Sequence, residues 1–197
     1  MNIKGLLELK RRGLLILRNT VVFSNLSEIP QAHLDKYGDE KRWVMRGFDA
    51  DVQITDSPYK IKDPRVYGFS KHQLNEVFDT INKLLDEKQI QSKRVYIICE
   101  VFFDDDVTFS SHTLKNGNLV YIDIANGNRP SNVDWTPDKS FTIDLSKPQI
   151  SAEGYQEYVE RIAEDLNALP DNSYVDFTLL KDGYFLYHDL CLIGGIK

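Results

Sequence analysis

The stretch over 174–195, YVDFTLLKDGYFLYHDLCLIGG, decides the fold of this chain. Two apolar and aromatic segments flank the Lys-Asp-Gly sequence at 181–183, and an Asp-Gly pair between such segments is typical of a β-hairpin turn. Gly183 can adopt a positive φ there because it has no Cβ to clash. The hairpin brings Asp176, near the start of its first strand, close to Asp189, near the end of its second. Two adjacent carboxylates repel each other, so we expect a cation or a proton between them.

Two interpretations of this hairpin are open from the pattern alone. The divalent metal of a nucleotide-binding site is one cation that would bind between Asp176 and Asp189. An edge hairpin that carries two solvated aspartates fits the same pattern.

Composition excludes several classes of protein. The chain has 197 residues, 42% of them hydrophobic and 27% charged, as expected of one globular domain or two small lobes. Its 24 basic and 30 acidic residues give a net charge of -6, which argues against broad nucleic-acid binding. Cys99 and Cys191 show no metal-binding or disulfide spacing, so we expect a reducing compartment. No segment is long enough to span a bilayer and none is a signal peptide, which predicts a cytoplasmic protein.

Hydrophobic patterning and capping signals predict alternating helices and strands. In chain order, the predicted elements are a helix over 4–12, a strand over 14–23, a helix capped by Ser27, a strand over 42–48, a helix opened by a Ser70-x-x-Gln73 capping box, a strand over 94–103, strands near 107–114, 118–124 and 141–145, a helix capped by Ser151, and the closing hairpin. The proline-containing segment 49–67 is predicted to be a loop. This order predicts an α+β fold with a small lobe over 1–98 and a larger antiparallel lobe over 99–197.

The closing hairpin resembles the final motif of ATP-grasp enzymes, in which a Val-Asp-aromatic strand and an Asp-Gly turn precede a strand that ends in Glu-x-Asn. In that family the Asp, the Glu and the Asn hold the magnesium ions that bridge the ATP phosphates. Asp176 matches the first of these, Asp189 stands at the Glu position and Cys191 stands at the Asn position. Aspartate keeps the charge with a shorter reach, whereas cysteine removes a hard oxygen ligand of the kind magnesium prefers. The resemblance therefore implies metal ligands at Asp176 and Asp189.

The order of elements is also similar to the ATP-grasp arrangement. It implies a two-lobed ATP-grasp-like fold, with ATP between a small α/β lobe and a larger antiparallel sheet that has helices on one face. The separate N-terminal substrate domain of the family is missing, which implies that a protein partner would supply it. A weaker similarity, carried by Lys4-Gly5, is to the nucleotide domain of phosphoenolpyruvate synthase-type enzymes.

Arg46 stands among apolar residues of the strand predicted over 42–48, where burying an unpaired guanidinium is costly. It therefore needs an anion, and Gly47 beside it would let a ligand approach the backbone. In the ATP-grasp family this strand usually carries a lysine that contacts the phosphates, and arginine can make that contact bidentately. The resemblance thus makes Arg46 the catalytic, phosphate-binding residue. The alternative is a snorkelling Arg46 or one paired with Asp49 or Asp51.

The strand predicted over 94–103 supplies the other nucleotide contacts that the resemblance implies. In the family this strand runs into the linker that contacts the nucleoside, so Glu100 would bind the ribose or the amine edge of adenine. Lys93 or Arg94, at the start of the strand, would add a second basic contact to the phosphates. Strand alternation alone fits a solvent-facing Glu100.

The histidines form no catalytic constellation in the sequence. Alternation predicts that His188 lies on the strand face opposite Asp189, so we expect no cooperation between them. His112, on another predicted strand, has no partner that the sequence identifies. No nucleophile motif is present, which suits a phosphate-activating ligase that works by positioning and charge neutralisation.

The function implied by the resemblance is an ATP- and Mg²⁺-dependent carboxylate–amine or carboxylate–thiol ligase that activates a small-molecule or peptide carboxylate as an acyl phosphate. One alternative is a degenerate member that serves as a nucleotide-sensing or partner-binding module. Cys191 favours it, as does Tyr174, which stands where relatives often carry a basic residue. A second alternative is a chain that works in trans with a partner, and a third is an unrelated α+β domain with a coincidental hairpin match.

Overall fold

The computed structural model describes residues 3–14, 16–36, 43–53, 55, 63–90, 93–100, 106–128, 136–147, 152 and 154–193. This part of the chain contains four helices, which are α1 (Ile3–Arg11), α2 (Gln31–Asp35), α3 (Leu74–Glu87) and α4 (Gln156–Asn167). Its strands are β1 (Val21–Phe23), β2 (Trp43–Asp49), β3 (Arg65–Phe69), β4 (Arg94–Glu100), β5 (Val107–Asn116), β6 (Leu119–Asn126), β7 (Lys139–Asp144), β8 (Ser173–Leu180) and β9 (Phe185–Leu192).

The strands form two antiparallel sheets. The small sheet has the strand order β1-β4-β2-β3, and the large sheet has the order β7-β6-β5-β8-β9. The predicted α+β fold with a small lobe and a larger antiparallel sheet is therefore confirmed. The predicted lobe boundary, between 98 and 99, falls within β4 and stays a prediction.

Helix α3 covers one face of the small sheet. Its N-terminus has the predicted capping box, in which the Ser70 N–H donates to Gln73 Oε1 at 3.2 Å. Buried residues of α3, β2 and β4 pack together into one apolar cluster, which includes Val77, Ile81, Leu85, Trp43, Met45, Tyr96 and Ile98. Because side chains alternate along a strand, the neighbours of these residues on β2, including Arg46, lie on the other face of the small sheet.

Helix α4 covers one face of the large sheet, and α1 packs against the edge strand β9. A single hydrophobic cluster contains residues of α1, α4 and both sheets, including Leu6, Phe48, Ile97, Phe109, Ile162, Val175, Phe177 and Leu190. Since Val175 and Phe177 of β8 point into this cluster, the residues between and beside them occupy the opposite face of the large sheet. We call that surface the acid face, and it comprises His112, Tyr174, Asp176, Thr178 and Asp189.

The strand predicted over 14–23 is wrong for most of its length, because only Val21–Phe23 forms a strand. Gly13, at φ 81, and Asn19, at φ 51, adopt left-handed conformations that interrupt an extended chain. Between them Ile16 makes one isolated bridge to Tyr187 of β9.

The loop predicted over 49–67 is wrong at its end, because β3 begins at Arg65 directly after Pro64. This edge strand buries only Phe69 and so lacks the alternation that marks a half-buried strand. Ser27 is no helix cap, since it lies within a 3₁₀ turn, Leu26–Glu28, and α2 begins after Pro30. The predicted cap Ser151 lies outside the described residues, and α4 begins at Gln156.

None of the helices in the described ranges is both long enough and apolar enough to cross a membrane.

Candidate functional site

The two hairpin aspartates are direct partners. Asp176 of β8 pairs in register with Asp189 of β9, and their side chains share the acid face. Only 6% of Asp176 and 4% of Asp189 is exposed. Directly opposed residues have Cβ atoms roughly 4.5–5.5 Å apart. The prediction that the hairpin brings these carboxylates together is confirmed.

A β-bulge beside the acid pair overturns the prediction for His188. Asp176 pairs with Asp189, but the next residue, Phe177, pairs with Tyr187, so His188 is an extra residue in β9. Its Nε2 lies 2.7 Å from the Thr178 hydroxyl oxygen, which is on the acid face. His188 therefore lies on the same face as Asp189, because the bulge breaks the alternation on which the sequence-based expectation depended.

The environment of His188 favours a neutral imidazole. Burial lowers the pKa of His188 to about 4, the charge of Asp176 opposes this shift, and the charge of Arg46 adds to it. The two electrostatic influences come from different sheets, since Asp176 is on β8 and Arg46 is on β2. His188 is thus a neutral polar group close to both charges.

His112 is a second site residue that the sequence does not reveal. It pairs in register with Asp176, on the side of β8 away from β9. Its Nδ1 lies 2.5 Å from Asp176 Oδ1 and 2.5 Å from the Tyr174 hydroxyl oxygen. The Asn-Gly sequence at 116–117 joins β5 to β6, but only the tertiary pairing of β5 with β8 brings His112 to the acid pair.

Arg46 has a buried partner in Asp63. The Arg46 Nε lies 2.8 Å from Asp63 Oδ2, with 10% of the arginine side chain and 2% of the aspartate side chain exposed. The protein thus supplies an anion for this buried cation from Asp63. The position of Arg46 on the face of β2 away from α3 is compatible with a phosphate contact, which stays a prediction.

Two glycines are explained by helix packing. A Cβ on Gly47 would lie 2.5 Å from Ile81 Cγ2, so this glycine makes room for α3, and the expectation that it admits a ligand is wrong. A Cβ on Gly5 would lie 1.8 Å from the Leu190 carbonyl oxygen, so α1 approaches the backbone of β9 directly beside Asp189. In the sequence analysis Gly5 stood out only as part of the Lys4-Gly5 pair. Its role in packing could not be predicted, because that role depends on where α1 docks.

The other predicted nucleotide contacts lie at or beside the two ends of β4, in the small sheet. Arg94 binds α3, where it forms an ion pair with Asp86 and its Nη1 donates to Asn82 Oδ1 at 3.1 Å. Lys93 is exposed beside it. Glu100, at the other end of β4, accepts a hydrogen bond of 2.7 Å from Asn19 Nδ2. The structure therefore brings Asp176 and Asp189 together, with the charge of Arg46 nearby, and the binding roles of Lys93, Arg94 and Glu100 stay predictions.

The donor set of the acid face suits a cation bound partly by its substrate. The described residues contain no group of three or more His, Cys, Asp or Glu side chains that could hold a metal ion. Magnesium is commonly bound by one or two carboxylates, with substrate phosphates and water as its other ligands. The paired carboxylates fit that requirement, whereas Cys191, two residues beyond Asp189 and 5% exposed, offers a sulfur that magnesium does not favour.

No family model matches the sequence, and no curated protein is significantly similar to it. Solved structures are similar. An L-amino acid ligase from Bacillus licheniformis shares a TM-score of 0.52 and 16% identity, over 98% of this chain and 43% of that protein. N5-carboxyaminoimidazole synthetase from Staphylococcus aureus shares a TM-score of 0.51 and 11% identity, over 99% of this chain and 44% of that enzyme. The chain therefore spans less than half the length of either enzyme.

Both of these proteins are ATP-grasp ligases. The similarity covers nearly the whole chain, at identities that establish a fold and no particular reaction. Together with the two antiparallel sheets and the acid-bearing terminal hairpin, it shows that this chain has the ATP-grasp fold.

Proposed function

We propose that the chain binds ATP with Mg²⁺ at the acid face and uses it for carboxylate–amine or carboxylate–thiol ligation. The observation that carries the proposal is the register pair of buried carboxylates, Asp176 and Asp189. Burying two adjacent negative charges is costly unless a cation or a proton compensates them. The ATP-grasp fold supports a nucleotide-bound metal ion as that cation.

The residues of the chain divide into two groups in this proposal. Asp176 and Asp189 would hold the metal, and Arg46, on the small sheet, would bind the phosphates. Lys93 and Arg94 add positive charge near the phosphates, and Glu100 binds the nucleoside. When bound, ATP supplies the phosphoryl group that activates a small-molecule or peptide carboxylate as an acyl phosphate, and Mg²⁺ neutralises the phosphate charge. A protein partner is proposed to contribute to the substrate site.

Calorimetry and thermal denaturation with ATP, in the presence and absence of Mg²⁺, test the binding step. We expect Mg²⁺-dependent binding and a raised Tm for the wild type, and at least about tenfold weaker binding for Asp176→Asn and Asp189→Asn, because each loses one anionic ligand. Glu164→Gln removes one charge from the exposed surface of α4 and serves as the matched control. Equal responses of all four proteins, or no response in any, would reject the metal–nucleotide site.

A second function is favoured by the Arg46–Asp63 ion pair. Because Asp63 already neutralises Arg46, the guanidinium adds less net positive charge to a phosphate site than an unpaired cation would. This weakens phosphoryl-transfer chemistry more than nucleotide binding, as expected of a nucleotide-sensing or partner-binding module. Formation of ADP with a panel of carboxylic acids and amines separates the two functions. Tight MgATP binding without ADP formation across the panel would favour the sensing module.

A further inference from the structure

Three neighbouring strands place His112, Asp176 and Asp189 in one row across the acid face. The strand order is β5-β8-β9, with His112 opposite Asp176 and Asp176 opposite Asp189. The row runs from a partly exposed imidazole, whose side chain is 18% exposed, to a carboxylate that is 4% exposed. Asp176 is therefore flanked by a hydrogen-bonding ring on one side and by a like charge on the other.

The His112 ring is held in a defined orientation. A carboxylate oxygen can only accept, so His112 Nδ1 carries a proton and donates it to Asp176 Oδ1 across 2.5 Å. The Tyr174 hydroxyl oxygen also lies 2.5 Å from Nδ1, and the two rings stack with centroids 5.9 Å apart and an interplanar angle of 27°. Two contacts thus fix the ring that binds Asp176.

The position of His112 selects one carboxylate oxygen of Asp176. Because β5 and β9 lie on opposite sides of β8, a donor from β5 engages the oxygen on that side. This hydrogen bond restrains the rotation of the Asp176 carboxylate and engages Oδ1 rather than Oδ2. Hydrogen bonds of this kind to a ligating group orient it for a metal, and their loss costs about 10- to 100-fold in metal affinity.

We propose that His112 is a positioning residue that orients the Asp176 carboxylate so that Asp176 and Asp189 bind one divalent cation between them. The inference rests on the proposed metal–nucleotide site and adds to it a residue whose contribution is made through Asp176. His112 itself does not touch the cation or the substrate in this role.

Binding of Mn²⁺ tests this role, followed by electron paramagnetic resonance in the presence of a saturating non-hydrolysable ATP analogue. His112→Leu, which removes the N–H donor, is expected to lower Mn²⁺ affinity by about 10- to 100-fold. His112→Asn places an amide N–H at the position of Nδ1 and is expected to restore affinity to within about threefold. His72→Leu, an exposed histidine before α3, is the control and should bind like the wild type.

A merely structural role would disturb the fold, so the far-UV circular dichroism of His112→Leu is compared with that of the wild type and is expected to be unchanged. Equal Mn²⁺ affinity of the wild type and His112→Leu would overturn the inference and leave the metal–nucleotide site intact. A wild type that binds neither Mn²⁺ nor the analogue would overturn both. If His112→Leu does not fold, His112→Gln replaces it, since its amide nitrogen reaches the wrong ring position. Equal Mn²⁺ affinity of His112→Gln and His112→Asn would then overturn the inference.

Discussion

Lys115 is a buried cation of β5 whose contacts are structural. Its side chain is 7% exposed, and its ammonium donates to the carbonyl oxygens of Leu169 at 2.6 Å and Asn167 at 3.3 Å, where α4 ends. The last carbonyls of a helix have no partner within the helix, and a cation there also interacts favourably with the helix dipole. Lys115 therefore satisfies the C-terminus of α4 from the neighbouring sheet.

Replacing Lys115 with Met should lower the free energy of unfolding by about 1–3 kcal/mol, because buried carbonyl groups lose a charged donor. Urea unfolding measures the difference. Lys83→Met changes an exposed lysine of α3 and should alter stability by no more than about 0.5 kcal/mol. An equal effect of both substitutions would show that the capping contact does not stabilise the fold.

Single residues also mark the limit of what the sequence predicts. The pairing of Asp176 with Asp189 follows from a two-segment pattern around one Asp-Gly turn, so local information is sufficient. The strand face on which His188 lies cannot be predicted from local sequence, because the bulge adds one residue to β9 and no Gly or Pro marks its position. The pairing of Arg46 with Asp63 was equally unpredictable from the sequence, since Asp63 lies 17 positions away in a segment predicted to be a loop.

Helix α1 acts as an element that fixes the position of β9. At Gly5 the helix backbone approaches the Leu190 carbonyl so closely that any Cβ would overlap it. Leu190 lies between Asp189 and Cys191, so the docking of α1 sets the position of the strand segment that carries one of the two acids.

Gly5→Ala is expected to displace α1 and to destabilise the protein by about 1–3 kcal/mol, the usual cost of overpacking. It should also weaken the Mg²⁺-dependent response to ATP, since β9 shifts at Asp189. Leu7→Ala, at a position of the same helix that is 41% exposed, is the control. Thermal denaturation with and without MgATP checks both effects, and a Gly5→Ala protein with wild-type stability would contradict the observed packing.

The C-terminal turn of α1 carries a charge cluster that titrates in acid. Hydrogen bonds from Arg11 and Arg12 lower the pKa of Glu8 to about 2 from its model-compound value of 4.5. Because the folded-state pKa is depressed, Glu8 stabilises the fold above about pH 4.5, and this contribution is lost as the pH falls towards 2. Solvent screening limits the contribution to about 0.3–1 kcal/mol.

Glu8→Gln should therefore show a flatter dependence of stability on pH between 4.5 and 2 than the wild type, and the two proteins should have parallel profiles near neutrality. Chemical denaturation at a series of pH values measures the slopes. Identical slopes in the acid range would show that the cluster does not couple to folding.

Elements with strong periodicity were predictable, and elements held by tertiary contacts were not. Helix α3 has both a capping box and an apolar stripe, so its start and its inward face followed from local sequence. Strand β3 buries one residue and forms because it pairs with β2. Local sequence patterns do not predict that pairing. Leu14, Ile16 and Leu17 are apolar because they contribute to the core, although they do not form part of a strand.

At the scale of the whole molecule, one core joins both sheets. The main cluster includes Phe48 and Ile97 of the small sheet together with Phe109 and Phe177 of the large sheet. A continuous buried core couples its parts during unfolding, so neither sheet is expected to melt alone.

A single unfolding transition is therefore expected. Trp43, which is 1% exposed in the small sheet, becomes the only tryptophan after Trp135→Phe, so its fluorescence follows the small sheet. Far-UV circular dichroism follows the whole chain. The two midpoints in urea should coincide, and a Trp43 transition that precedes the loss of ellipticity would show that the small sheet unfolds independently.

The bulge in the closing hairpin makes His188 a surplus residue. If it were removed, Tyr187 would be followed directly by Asp189, and the pairs Phe177–Tyr187 and Asp176–Asp189 would become consecutive rungs of an uninterrupted ladder. The acid pair and the imidazole beside it are therefore separable. A chain shortened by that one residue keeps its two carboxylates in register and loses only the imidazole ring, on which the charges of Asp176 and Arg46 both act. The His188 imidazole can therefore be added or deleted without changing the pairing of the other residues in the hairpin.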